Sequence, residues 1–154
     1  MPPSAFLNLL VLAAQDCQRE TGIPASLTLA QAALESGWGA RAPGNNLFGI
    51  KADRAWKGKT TKFTTTEHLS GKDVVIVDKF RAYDSWLDSM IDHANFFRKN
   101  PRYAACFKER TGEGWARAVA KAGYATDPGY AEKLIAIMRG RNMPQYDILP
   151  KVPA

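Results

Sequence analysis

Glu35 lies in the segment LAQAALESGWG, and its surroundings suit a carboxyl group that gives a proton to a leaving oxygen. If this segment is a helix that stops at Gly37, Glu35 sits in the last turn, where the negative end of the helix dipole disfavours a carboxylate. That effect is worth only about 0.3–1 kcal/mol, less than one pKa unit, so any useful upward shift has to come from burial. Leu34 and Trp38 can supply an apolar wall, and Gln31, one turn below, can orient the carboxyl group. A proton retained at neutral pH is what general acid catalysis requires. By position alone, however, a solvated glutamate at a helix end is the commoner arrangement. Asp92 and His93 form a second acid–base pair, for which a structural hydrogen bond is the simpler role. Cys17 and Cys106 are far apart in the sequence and are expected as two buried free thiols rather than a disulfide. No Cys/His cluster has zinc spacing, so neither a metal nor a cofactor is expected.

Periodicity and punctuation supply the elements that must position these groups. A first helix is expected over about Ser4–Glu20, capped by Ser4 and ended by Gly22, with Leu7, Leu10, Val11, Ala14 and Cys17 on one face. The second runs from about Ala25 to Ser36, with Pro24 suited to its first turn and Gly37 to its stop. A Gly/Pro/Asn-rich loop then leads to LFGIK. Thr60–Leu69 and Lys72–Phe80 are rich in Thr, Val and Ile and flank Ser70-Gly71, which predicts a β-hairpin. The remainder is helical: a helix capped by Asp84 or Ser85 and ending near Asn100-Pro101, a short one around Tyr103–Phe107, one from Thr111 to Gly123, and a last one opened by Asp127-Pro128. Helices around one small hairpin make a mostly α, α+β domain over residues 1–143, followed by an extended Pro-rich tail, 144–154.

The sequence of 154 residues is the right length for one domain with a real core, and the 45% hydrophobic content is ordinary for a globular chain. A formal charge of +6 favours anionic partners without choosing among wall polymers, lipids and nucleic acids. Dispersed basic residues and the lack of a helix-turn-helix pattern argue against nucleic acid. Ala5–Ala14 (AFLNLLVLAA) resembles the apolar part of a signal peptide, but no Lys or Arg precedes it, so a buried helix is expected and no transmembrane segment.

LAQAALESGWG, NNLFGIK, TTTEHLSGK, KFRAYDSW and GYATDPGYAEKL, in that order, resemble the motifs of glycoside hydrolase family 73, whose members are N-acetylglucosaminidases. The resemblance covers roughly Ala25–Met138 and implies a lysozyme-like fold with a small hairpin lobe. It also implies a reaction: cleavage of the β-1,4 bond on the reducing side of N-acetylglucosamine in the peptidoglycan glycan strand. Glu35 is then the general acid. Glu67, three residues before the Ser70-Gly71 turn, is the implied second carboxylate, activating water, unless the substrate's own N-acetyl group takes that part. On residue pattern alone Glu67 is equally an edge-strand charge. His68 follows it where the family usually has tyrosine. The resemblance places Tyr124 in the cleft, against the N-acetyl group or the water; otherwise it is a core tyrosine with a satisfied hydroxyl. Asn45 and Asn46 are expected on the cleft floor with amides for sugar hydroxyls, Phe48 as a core anchor, Trp56 as a sugar-stacking ring, Trp38 as either a sugar-stacking ring or a core residue, and Gln31 and His68 as further substrate contacts. Tyr130 is expected to pack the last helix. Glu67 is expected to face Glu35 from a mobile lobe that is open without substrate. The rivals are a lytic transglycosylase on the same fold and a non-catalytic wall-binding module. The expected setting is a monomeric lytic enzyme, an endolysin or similar, lacking a signal peptide and carried to the periplasm or wall by a holin, a secretion system or a parent protein.

Overall fold

The protein is described by a computed structural model covering residues 1–148, within which the side chains of Thr65 and Glu67 are not described. Five α-helices, α1 (Pro3–Thr21), α2 (Ala25–Ser36), α3 (Trp86–Lys99), α4 (Gly112–Lys121) and α5 (Tyr130–Gly140), surround one core, and strands β1 (Thr60–Leu69) and β2 (Lys72–Arg81) form a hairpin. The fold is the mostly helical α+β arrangement expected.

Helix α2 is the axle. Every residue from Ala25 to Ala33 is buried, because α1, α4, α5 and the 3₁₀ turn Met143–Tyr146 pack around it. A helix apolar on all sides has to lie inside, and this one surfaces only at Leu34 and Glu35. It stops where Gly37 takes a left-handed φ of 59°, a conformation that costs glycine little. Helix α1 buries the expected stripe of Leu7, Leu10, Ala14 and Cys17 against α2 and α3. No helix among the described residues is long and apolar enough to cross a membrane. Ser4 does not cap α1: the helix already starts at Pro3, after Pro2, so Ser4 lies inside the first turn. Ser85 and Thr111 do cap α3 and α4, accepting from the amides of Asp88 and Gly114. Cys17 and Cys106 are buried free thiols.

The hairpin has the register Thr60↔Arg81 through Leu69↔Lys72. Ser70 and Gly71 both take positive φ, 51° and 77°, the backbone of a tight hairpin turn. Its base is tied down by a bridge from Lys51 to Phe80 and by the edge-on rings of Phe63 and Phe80, whereas Val75 and Val77 of the outer half are exposed.

The extended tail expected from Pro144 is not what residues 144–148 form. Met143–Tyr146 is a 3₁₀ turn with Met143 fully buried. The Gln15 amide donates to the Tyr146 carbonyl at 3.1 Å, and Gln18 exchanges two hydrogen bonds with the Ile148 backbone at 3.0 and 2.9 Å. Asp147 accepts from both the amide and the hydroxyl of Ser26, at 2.7 and 2.8 Å. Its prolines favour an extended chain, but a buried methionine and the side chains of Gln15, Gln18 and Ser26 hold it on the core. The rest of the expected tail, residues 149–154, lies outside the described residues.

Candidate active site

Glu35 emerges from the C-terminal end of α2 at the junction of two depressions. One is a cleft of about 860 Å³ lined by Glu35, Phe48, Ile50, Trp56, Tyr103 and Tyr124, among others. The other, about 140 Å³, runs from Glu35 past Arg41 to Phe63 and Phe80 at the hairpin base. A channel with one carboxyl group at its waist separates a helical side from a hairpin side.

Burial pushes the Glu35 carboxyl group above its ordinary proton affinity, and a hydrogen bond from Tyr130 opposes part of that rise. The Tyr130 hydroxyl donates to Glu35 Oε1 at 3.1 Å and accepts from Gln31 Nε2 at 3.0 Å. Gln31 therefore does not reach the substrate as expected. It is fully buried on α2, and it addresses Glu35 through Tyr130. Tyr130, expected only to pack α5, is the residue that sequence reasoning missed; the signal was its place in GYATDPGY, six residues after Tyr124.

The Tyr124 ring stacks on Tyr130 with centroids 5.6 Å apart and the planes inclined by 25°, and lines the cleft with Glu35. Burial, reinforced by the nearby Glu35 carboxylate, raises its pKa well above the ordinary tyrosine value, so its hydroxyl remains a donor.

Other expected contacts are committed elsewhere. Asn46 is 2% exposed; its amide donates to the carbonyls of Ile50 and Arg81, and its oxygen accepts from the amides of Phe48 and Ile50. It shapes the cleft floor and leaves no donor free for sugar. The Asn45 amide donates to the Tyr83 carbonyl at 3.0 Å. Trp38 packs edge-on against Phe6 at 5.4 Å beneath the Arg141 guanidinium, and it lines neither depression. Trp56 does line the cleft, but Arg81 covers one face at 4.6 Å and its indole N–H donates to the Lys59 carbonyl. His68 pairs with Asp73 at 3.0 Å near the exposed hairpin tip and lines neither depression.

Glu67 pairs with Val74 in the hairpin register, and its side chain lies outside the described residues. Four residues of strand, about 13 Å, separate its backbone from that of Phe63 in the smaller depression.

His93 makes no hydrogen bond, contrary to the simpler role expected for it. Both ring nitrogens are buried without partners, the ring stacks on Phe48 at 3.8 Å, and burial lowers its pKa to about 3. It packs as a neutral aromatic. Asp92 instead accepts from Arg81 at 2.9 Å and from the Tyr83 hydroxyl at 2.6 Å, bracing the cleft wall. No group of three or more His, Cys, Asp or Glu side chains that could hold a metal occurs among the described residues.

A helical body, a hairpin lobe and a half-buried glutamate in the cleft between them define a lysozyme-like glycoside hydrolase domain. The chain belongs to the glucosaminidase family (mannosyl-glycoprotein endo-β-N-acetylglucosaminidase), whose model matches residues 11–143. It is similar to the peptidoglycan hydrolase FlgJ of Escherichia coli K12, at 47% identity over 137 residues, covering 84% of this chain and 44% of that protein. The exo-glucosaminidase LytG of Bacillus subtilis is 36% identical over 150 residues, covering 92% and 52% of the two chains. The solved structure of a C-terminally truncated glycoside hydrolase domain from Salmonella typhimurium FlgJ superposes with a TM-score of 0.81 at 42% identity, covering 92% of this chain and 98% of that one. The chain thus spans about half the length of these curated relatives.

Proposed function

We propose that this domain hydrolyses the β-1,4 bond on the reducing side of N-acetylglucosamine in peptidoglycan, with Glu35 as general acid. The observation that carries the proposal is the half-buried Glu35 carboxyl group at the waist of the cleft, with raised proton affinity and a fixed hydroxyl partner. Such a group holds its proton until the leaving oxygen needs it. The named activities of the relatives, peptidoglycan hydrolase and exo-glucosaminidase, agree with this substrate. Tyr124, a phenol lining the same cleft, is suited to hold the N-acetyl group or the attacking water.

The second carboxylate in this scheme is Glu67. By the two-residue alternation of a strand it occupies the register set of Phe63, which lines the hairpin side of the channel. With about 13 Å of strand between them, the hairpin has to bend towards the helices for Glu67 to activate water across the sugar from Glu35. The protein works as a monomer on the wall side of the membrane.

The test is mass spectrometry of borohydride-reduced fragments from digested peptidoglycan. Reduced N-acetylglucosamine ends are expected. Reduced muramic acid ends would overturn the bond assignment, and anhydro-muramic ends would identify a transglycosylase. Long fragments early in the digest are expected of internal cleavage, whereas small sugars released from the start would match the exo action named for LytG.

A further inference from the structure

Beside the cleft, the 3₁₀ helix Pro101–Lys108 and α4 enclose a groove of about 500 Å³, within the range of ligand sites. Its floor is small: Ala105, Gly114 and Ala118 leave the backbone open. Its rim carries Arg102, Arg117 and Lys121 against one carboxylate, Glu109. Gly114, Arg117, Ala118 and Lys121 fall on one stripe of α4, so the helix period itself lines up the floor and the cations.

These cations are not used up inside the fold. Neither Arg102 nor Lys121 belongs to an ion pair among the described residues. Arg117 reaches Glu113 only at 3.7 Å, and Arg139 holds that carboxylate at 2.6 Å. The charge is also ordered along the groove. The Glu109 carboxylate lies over Gly114 in the first turn of α4, where an added Cβ would collide with Oε2. Lys121 stands at the other end, about 10 Å away along the helix. Arg102 stands between that end and the cleft: its Nη1 would be 3.9 Å from a Cβ added at Gly123, it lines both the groove and the cleft, and its guanidinium lies over Tyr103, another cleft residue, at 4.9 Å.

We propose that this groove receives the free carboxylates of the stem peptide branching from the muramic acid residue next to the scissile bond. The inference rests on the peptidoglycan reading and extends it from the glycan to its branch. In a peptide-bearing strand the lactyl carboxyl is tied up in an amide, so the sugars are neutral and the peptide carries the negative charge. A cationic opening beside the cleft meets that branch, and Glu109 at the far end stops a polyanion from running through. A short acidic branch fits; a continuous polyphosphate does not.

The experiment compares glycan strands carrying uncross-linked stem peptides with the same strands after an amidase has removed the peptides, which takes the negative charge off the branch and leaves a single lactyl carboxylate on the sugar itself. Arg117 and Lys121 are exposed, so Arg117→Ala/Lys121→Ala leaves the core intact. The double variant is expected to lose on the order of tenfold in kcat/KM on peptide-bearing strands, the sum of two exposed ion pairs, and to match the unaltered protein on stripped strands. Arg117→Glu/Lys121→Glu is expected to widen the gap, and added salt to narrow it for the unaltered protein. Equal losses on both substrates, or no loss on either, would overturn the stem-peptide site. Failure of the unaltered protein to cut either strand would instead overturn the peptidoglycan reading.

Discussion

The Tyr130 hydroxyl has one proton to place. Gln31 Nε2 donates to it, so that proton points at Glu35 Oε1. This bond favours the charged carboxylate, whereas burial favours the neutral acid, and burial is the larger influence. Tyr130→Phe is therefore expected to raise the proton affinity of Glu35 further. The alkaline limb of the kcat/KM profile should move to higher pH, and the unpaired Gln31 amide should cost about 1–3 kcal/mol of stability. An unmoved limb would deny the phenol its tuning role. Glu35→Gln should lower glycan cleavage by about 10²-fold or more, since the amide keeps the shape without an acidic proton. A folded Gln variant with near-normal cleavage would remove Glu35 from the mechanism. The same variant has a stability signature. A carboxyl group whose folded proton affinity exceeds its ordinary pKa of 4.5 binds its proton more tightly in the native state, so it destabilises the fold as pH rises through that window. Glu35→Gln should melt above the unaltered protein at neutral pH, with the difference closing below about pH 4.5. That Glu35 and Tyr124 share one cleft was legible from their motifs. The Gln31–Tyr130–Glu35 chain was not, because it joins α2 to α5 across the fold, and local spacing carries no information about such a contact.

Among the elements, α2 carries Glu35 at one end and has no side-chain cap of its own at the other, after Pro24. Asp147 supplies that cap from the far end of the described chain by accepting from Ser26 twice. Asp147→Ala should cost about 1–2 kcal/mol, as the loss of an N-cap does, and lower Tm by roughly 2–4 °C for each kcal/mol. Asp147→Asn should cost less, since the amide oxygen still accepts and burial already penalises the charged carboxylate. Thermal melts of both variants decide this; equal melting of Asp147→Ala and the unaltered protein would deny the cap. The helices were legible largely through their ends, Gly22, Gly37, Ser85 and Thr111, where backbone chemistry is local. The docked segment after Met143 was not: its prolines are local signals, while the reason it stays on the core, a partner on α1 or α2, is not.

Across the whole molecule, the hairpin lobe is joined to the helical body chiefly at its base, where Lys51 meets Phe80 and Phe63 closes the smaller depression. A two-stranded unit with exposed Val75 and Val77 has little packing to stabilise its outer half. Backbone amides of residues 65–76 should therefore exchange with solvent much faster than those of α2, and a bound glycan oligomer should slow them. Glu67→Gln should lose most activity, yet retain more than Glu35→Gln, because the N-acetyl group can assist. Full activity of Glu67→Ala with unchanged exchange on glycan binding would sink the closing lobe. At this scale the sequence made the two-lobed outline legible, with hairpin limits within a residue. The net charge of +6 pointed to an anionic partner but could not say where the charge gathers, since Arg102 and Lys121 meet only after the 3₁₀ helix packs on α4. The contacts of Gln15, Gln18 and Ser26 with residues 146–148 have one more consequence, for the order of events on the ribosome. Helices α1 and α2 leave the exit tunnel before residues 146–148, at roughly 5–20 residues per second, so Gln15 and Ser26 wait for these partners, whereas Gln18 can already accept from the Ala25 amide. Helix α2 thus waits several seconds for Asp147, and its first turn has no side-chain cap on the ribosome until then.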